Sequence, residues 1–197
     1  PNLAGGVIRL QSPLTLRGAV TVEAEDAPGL TIRPAAGQPG FETPEGESAT
    51  LAHLTITGAS GANAVANSGA LTVQYSLLHG NQNSGNGATI HSTSVLTVLH
   101  STLYNNQVAE GAAVVSLGGG AIRYTTFVSN TLNTGDGRSL ATIASAFDLS
   151  NSLVESCSAV SGLSGSNNLS SPGAAGSGCP GVDGPVTGLA LLLANNG

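Results

Sequence analysis

Tyr75-Ser76-Leu77-Leu78-His79-Gly80-Asn81, His100-Ser101-Thr102-Leu103-Tyr104-Asn105-Asn106 and Tyr124-Thr125-Thr126-Phe127-Val128-Ser129-Asn130 are three copies of one block. Each opens on a ring, continues with a hydroxyl residue, places a large apolar residue fourth and closes on asparagine. A degraded copy, His53 to Ala59, precedes them, and another, Asn151 to Cys157, follows. The block thus recurs about every 25 residues, and self-similarity at a fixed period of about 20–50 residues marks a stacked repeat.

Each period also carries three short apolar segments. Leu71-Thr72-Val73 and Leu96-Thr97-Val98 alternate inward and outward residues, as half-buried strands do. Ser-Gly, Asn-Gly and Gly118-Gly119-Gly120 separate the segments. A chain with three strands per period can coil so that each strand pairs in parallel with its equivalent one turn on. The other two sides of the coil then serve as the crossover that parallel pairing requires. Crossovers are overwhelmingly right-handed. The reading is therefore all-β: a right-handed parallel β-helix of about seven rungs, stacked at roughly 4.8 Å per rung, with a loop-rich C-terminal cap. It is one domain over 1–197, with irregular rungs over 1–61, regular rungs over 62–156 and the cap over 157–197. The stretch 158–179 is nearly low in complexity and reads as a covering loop.

Composition narrows the function classes. Charged residues make up 8% of the chain, with five basic residues against 11 acidic ones. Phosphate binding needs clustered Lys and Arg, so nucleic acid is not an expected partner. Aromatics are 3% of residues, with no Trp or Met, so the core must be aliphatic. The longest apolar run, Leu189 to Leu193, is too short to span a bilayer. From Pro1 to Asn195-Asn196-Gly197 the chain reads as a piece of a longer exported protein. Cys157 and Cys179 are the only cysteines. Paired, they would close a Gly- and Ser-rich loop, contributing about 3 kcal/mol in the chain-entropy model and implying an oxidising compartment. The alternative is two free thiols in a tail.

Four sets of residues are candidates for chemistry. Asn81, Asn106 and Asn130 fall at one corner, where stacked amides would hydrogen-bond along the coil as a structural ladder. His53, Tyr75, His100 and Tyr124 share a second position and form an expected surface stack, either packed at a bend or turned outward to receive a sugar or peptide. Glu110 and Asp136, each before a glycine and one period apart, with Arg138 nearby, would bring two carboxylates within about 5 Å, the spacing of a retaining glycosidase. The same pair could hold Ca²⁺; otherwise no cofactor or metal is expected. Glu23 with Glu45 and Glu25 with Glu47, each pair spaced by close to one period, invite the same comparison. A threonine row that could bind ice begins at Thr72 and Thr97 but breaks at Ala121. Asn168-Leu169-Ser170 is a formal glycosylation sequon.

The segments Gly119-Gly120-Ala121-Ile122, Phe127-Val128-Ser129-Asn130, Leu103-Tyr104-Asn105-Asn106 and Leu78-His79-Gly80-Asn81 resemble the β-helix repeats of bacterial polymorphic outer-membrane proteins and choice-of-anchor Q domains. The opening from Ile8 through Gly58 and the closing Leu192 to Gly197 are similar to the ends of such domains. The pattern departs at Ile56-Thr57-Gly58-Ala59 and at Val154-Glu155-Ser156-Cys157. The resemblance implies an extracellular or cell-surface module without catalytic residues, of adhesin or spacer type, facing a protein or glycan of a host or neighbouring cell. The competing expectation is a carbohydrate-active β-helix enzyme using Glu110 and Asp136.

Overall fold

A computed structural model describes residues 3–84, 88–108, 112–132, 140–142, 146–159, 162–170 and 178–185. Among these residues there are strands and turns but no helix. The strands form three long sheets of nine, seven and seven strands. Each strand pairs in parallel with its equivalent one winding on, as Leu77–His79 does with Thr55–Thr57 before it and Thr102–Tyr104 after it. The chain is a parallel β-helix.

Its interior follows from the strand period. In the first six strands of the first sheet the middle residue points inward, and Ile8, Ile32, Ile56, Leu78, Leu103 and Phe127 lie in register as one column. From Ile56 onward these side chains are fully buried. The second sheet supplies Phe41, Val65, Ile90, Val114 and Leu140. The third supplies Leu51, Val73, Val98, Ile122 and Leu149. Burying each such side chain contributes about 1.5–3 kcal/mol relative to exposure. The expectation of a wholly aliphatic core is corrected: Val, Leu, Ile and Ala form most of the three inward faces, but Phe41, Phe127 and Phe147, all the phenylalanines of the chain, are buried among them as the largest fully buried side chains.

Two departures from the sequence reading stand out. The middle windings carry a fourth short strand, Gln82–Asn83, Gln107–Val108 and Thr131–Leu132, so these rungs have four strands rather than three. In addition, the described part of the segment read as a covering loop continues the coil. Cys157–Ala159, Leu163–Ser164 and Asn168–Ser170 extend the second, third and first sheets in turn. This winding is shortened: Phe147 pairs with Leu163 and Leu153 with Leu169, the same step of 16 that separates Ser152 from its partner Asn168. Such a step falls outside the period of 24 or 25 that relates Asn81, Asn106 and Asn130, so the repeat is invisible in sequence there. The apolar segment 189–193, read as part of the cap, lies outside the described residues.

Cys157 and Cys179 form a disulfide with a Cα–Cα distance of 4.8 Å. It ties the strand Cys157–Ala159 to the chain just before the last strand of the first sheet, Val182–Pro185. Among the described residues no helix is long and apolar enough to cross a membrane.

Candidate functional site

The repeated block is explained position by position at the two corners flanking the first sheet. Its opening ring stands between the third and first sheets, where the chain turns sharply. That turn demands a left-handed backbone. His53, Tyr75, His100 and Tyr124 have φ of 55°, 49°, 46° and 52°. The same position in the remaining windings is held by Gly5, Gly29, Asn151, Asn167 and Gly181, all with positive φ. A left-handed residue other than glycine costs roughly 1–2 kcal/mol. Rings therefore occupy a position that glycine or asparagine would fill more cheaply, and something must offset the strain.

Stacking supplies the offset. His53 and Tyr75 have ring centroids 5.0 Å apart, Tyr75 and His100 5.1 Å, and His100 and Tyr124 4.8 Å, with interplanar angles of 17°, 7° and 4°. The winding spacing of about 4.8 Å coincides with a favourable ring separation, and each aromatic pair adds roughly 0.5–1.5 kcal/mol. The structure thus brings all four residues of this candidate set together. Their faces cover one another, so the column presents its edges: phenol hydroxyls alternating with imidazole nitrogens. Tyr75 and Tyr124 are 51% and 54% exposed. Beside the column runs a groove of about 530 Å³, lined by His53, Tyr75 and His100 on one side and Thr55, Leu77 and Thr102 on the other.

The hydroxyl that follows each ring turns inward and serves the backbone. Ser76, Ser101, Thr125 and Ser152 each donate to the carbonyl two positions earlier. Ser76 Oγ accepts from the Leu54 N–H, Ser101 Oγ from Ser76 and Ser152 Oγ from Thr125. Asn168 continues this column, accepting from the Ser152 N–H at 3.0 Å and donating to Leu149 and Pro180 carbonyls. Asn168 is fully buried. The formal sequon is therefore not presented to solvent.

At the second corner Gly80, Asn105 and Ser129 are again left-handed, with φ of 61°, 50° and 55°. The asparagine that closes each block points inward. Asn81 Nδ2 donates to Asn106 Oδ1, and Asn106 Nδ2 to Asn130 Oδ1, both at 2.9 Å. Each amide also donates to a backbone carbonyl: Asn81 to Ile56, Asn106 to Leu78 and Asn130 to Leu103. Asn81, Asn106 and Asn130 thus stand in one buried column with their amide groups hydrogen-bonded. Burying polar groups is tolerable only on such terms. Glu155, which the sequence reading did not single out, closes the column: its Oε2 accepts from Asn130 N at 3.1 Å. Burial pushes the Glu155 carboxyl above its ordinary value, and the hydrogen bonds from Asn130 and the Ser129 backbone oppose that shift only in part.

Other candidates fare differently. Glu110, Asp136 and Arg138, with the Ca²⁺ reading attached to them, lie outside the described residues. The pairing of Glu23 with Glu45 and of Glu25 with Glu47 is overturned. The winding there has a step of 29, so Glu23 meets Ala52, while Glu47 turns away to accept from the Gly18 N–H. The threonine row is longer than two: Thr21, Thr50, Thr72 and Thr97 align on the third sheet beside a trough of about 250 Å³, and Ala121 ends the row. The extra members were hidden because successive windings differ in length. His79 and His91 are held below the ordinary imidazole range by burial, His79 also by the Arg33 guanidinium.

No protein-family model matches this chain, and no curated protein matches it in sequence.

Proposed function

We propose that the chain is a non-catalytic, extracellular β-helix module, of the surface type its repeats resemble, and that its ring-bearing side contacts a glycan. The observation that carries this reading is the four-ring column beside the groove. Phenol hydroxyls and imidazole nitrogens repeat there at the winding spacing, opposite Thr55 and Thr102 hydroxyls and the Leu77 side chain. An extended sugar chain has matching chemistry: hydroxyls at a regular repeat and apolar C–H patches between them. The backbone edges along the sides of the coil are already paired, so a partner must be met by side chains rather than by strand addition. The disulfide supports export, since such bonds persist in oxidising compartments.

A glycan array probed with the chelator-treated protein tests the reading. Tyr75→Asn and His100→Asn are the informative variants, because Asn151 and Asn167 show that asparagine accepts this backbone. Binding that disappears in both variants, with circular dichroism unchanged, is the expected result. Silence across the array, or variants that bind like the parent, would overturn it.

A further inference from the structure

Where the ring column ends, three metal-capable side chains converge. Glu23 is the last residue of the strand Ala19–Glu23, and Glu25 follows two positions later. Between them Ala24 turns inward, is buried, and donates its N–H to Ala52 O at 3.2 Å. This alternation puts both carboxylates on the outer side. His53, the next residue after Ala52, sits one winding on from Ala24. The ligand atoms of Glu23, Glu25 and His53 all lie within 4.8 Å of one another.

Three further observations bear on what this cluster holds. The His53 ring is fixed in plane by its stack on Tyr75, so its nitrogens have a set direction. In the preceding winding the ring position is Gly29, which has no side chain, and Glu25, Gly29 and His53 line one end of the groove. The outer face of the His53 ring therefore opens onto space that a ligand can enter. Lastly, none of the three side chains makes a hydrogen bond or ion pair with another described residue. The three leave a convergent set of one nitrogen and two oxygens.

We propose that Glu23, Glu25 and His53 bind a divalent transition cation of the zinc class. One imidazole with two carboxylates suits Zn²⁺ and its neighbours, whereas Ca²⁺ takes six to eight oxygen ligands and gains little from imidazole. The remaining coordination positions face the groove and are filled by water. The site stands independently of the glycan reading.

The test uses untagged protein stripped with chelator and titrated with zinc chloride by calorimetry. One equivalent should bind, and affinity should fall about tenfold or more in His53→Asn and in Glu25→Gln. His53→Asn keeps the left-handed corner, as Asn151 does. In the labelled parent protein, zinc should shift the imidazole signals of His53 alone among the four histidines. This readout requires no variant to fold. Zinc that fails to bind at millimolar concentration, that binds His53→Asn as tightly as the parent, or that shifts another histidine instead, overturns the proposal. So does calcium binding as tight as zinc and indifferent to His53→Asn.

Discussion

Glu155 Oε2 accepts a hydrogen bond from the backbone N–H of Asn130, the same bond that Asn130 Oδ1 accepts from Asn106 and Asn106 Oδ1 accepts from Asn81. A carboxylate thus completes a column of amides. Its pKa is raised in the fold, chiefly by burial. The protonated form is therefore favoured by folding: the stabilisation is full below the unfolded value and is lost as pH rises through the folded one. Glu155→Gln keeps an acceptor oxygen and removes the charge. We expect this variant to match or exceed the parent in urea unfolding at neutral pH, and to lose that part of the pH dependence. A loss of more than about 1 kcal/mol at neutral pH would contradict this. His79 and His91 act in the opposite sense. Their lowered values give stability that is present above the ordinary 6.5 and lost as pH falls through the folded values.

Asn106 is the middle of the column and uses all of its amide. It donates to the Leu78 carbonyl and Asn130 Oδ1, and accepts from the N–H and Nδ2 of Asn81. Asn106→Asp would set a carboxylate against two acceptors at a fully buried position. Destabilisation of about 3 kcal/mol or more is expected, against about 2 kcal/mol for Asn106→Ala. Equal effects of the two substitutions would show that the ladder's donors do not matter.

Gly120 has φ of 148°, and a Cβ there would stand 1.9 Å from the Leu96 carbonyl oxygen. That contact is with backbone in the neighbouring winding, so no side chain can move aside. Gly120→Ala should destabilise by about 3 kcal/mol or more, read from the denaturant midpoint. A stability near the parent's would mean that windings can separate locally at low cost.

The Cys157–Cys179 bond closes a sequence separation of 22. Stability in a stacked coil is nearly a sum over neighbouring windings. Reduction, or Cys179→Ser, should therefore remove about 3 kcal/mol from the last windings first. Hydrogen exchange checks this: amides of Asn168–Ser170 should lose protection while those of Thr55–Thr57 keep theirs. Uniform loss along the coil would point to all-or-none unfolding instead.

How much was legible depended on whether a signal was local. The block from Tyr75 to Asn81 names its own roles, because a corner that must be left-handed, a hydroxyl facing the backbone and a buried amide each select a residue type. The ring column was visible for that reason. The same corner at Gly5, Gly29 and Gly181 was not, since glycine leaves no mark that separates it from an ordinary turn.

The sequence by itself determined the coil, its largely aliphatic inward faces and the corner that collects the asparagines, because nearly equal steps stack like upon like; that the three phenylalanines are its largest fully buried side chains was decided by the fold. Only the tertiary structure decided which residues meet where the steps are unequal. A longer winding carries Glu23 and Glu25 to His53 rather than to Glu45 and Glu47, and a shorter one folds an unpatterned stretch into the same three sheets. Register in a parallel coil is set by backbone hydrogen bonds between windings, and loops of any length are accommodated outside them.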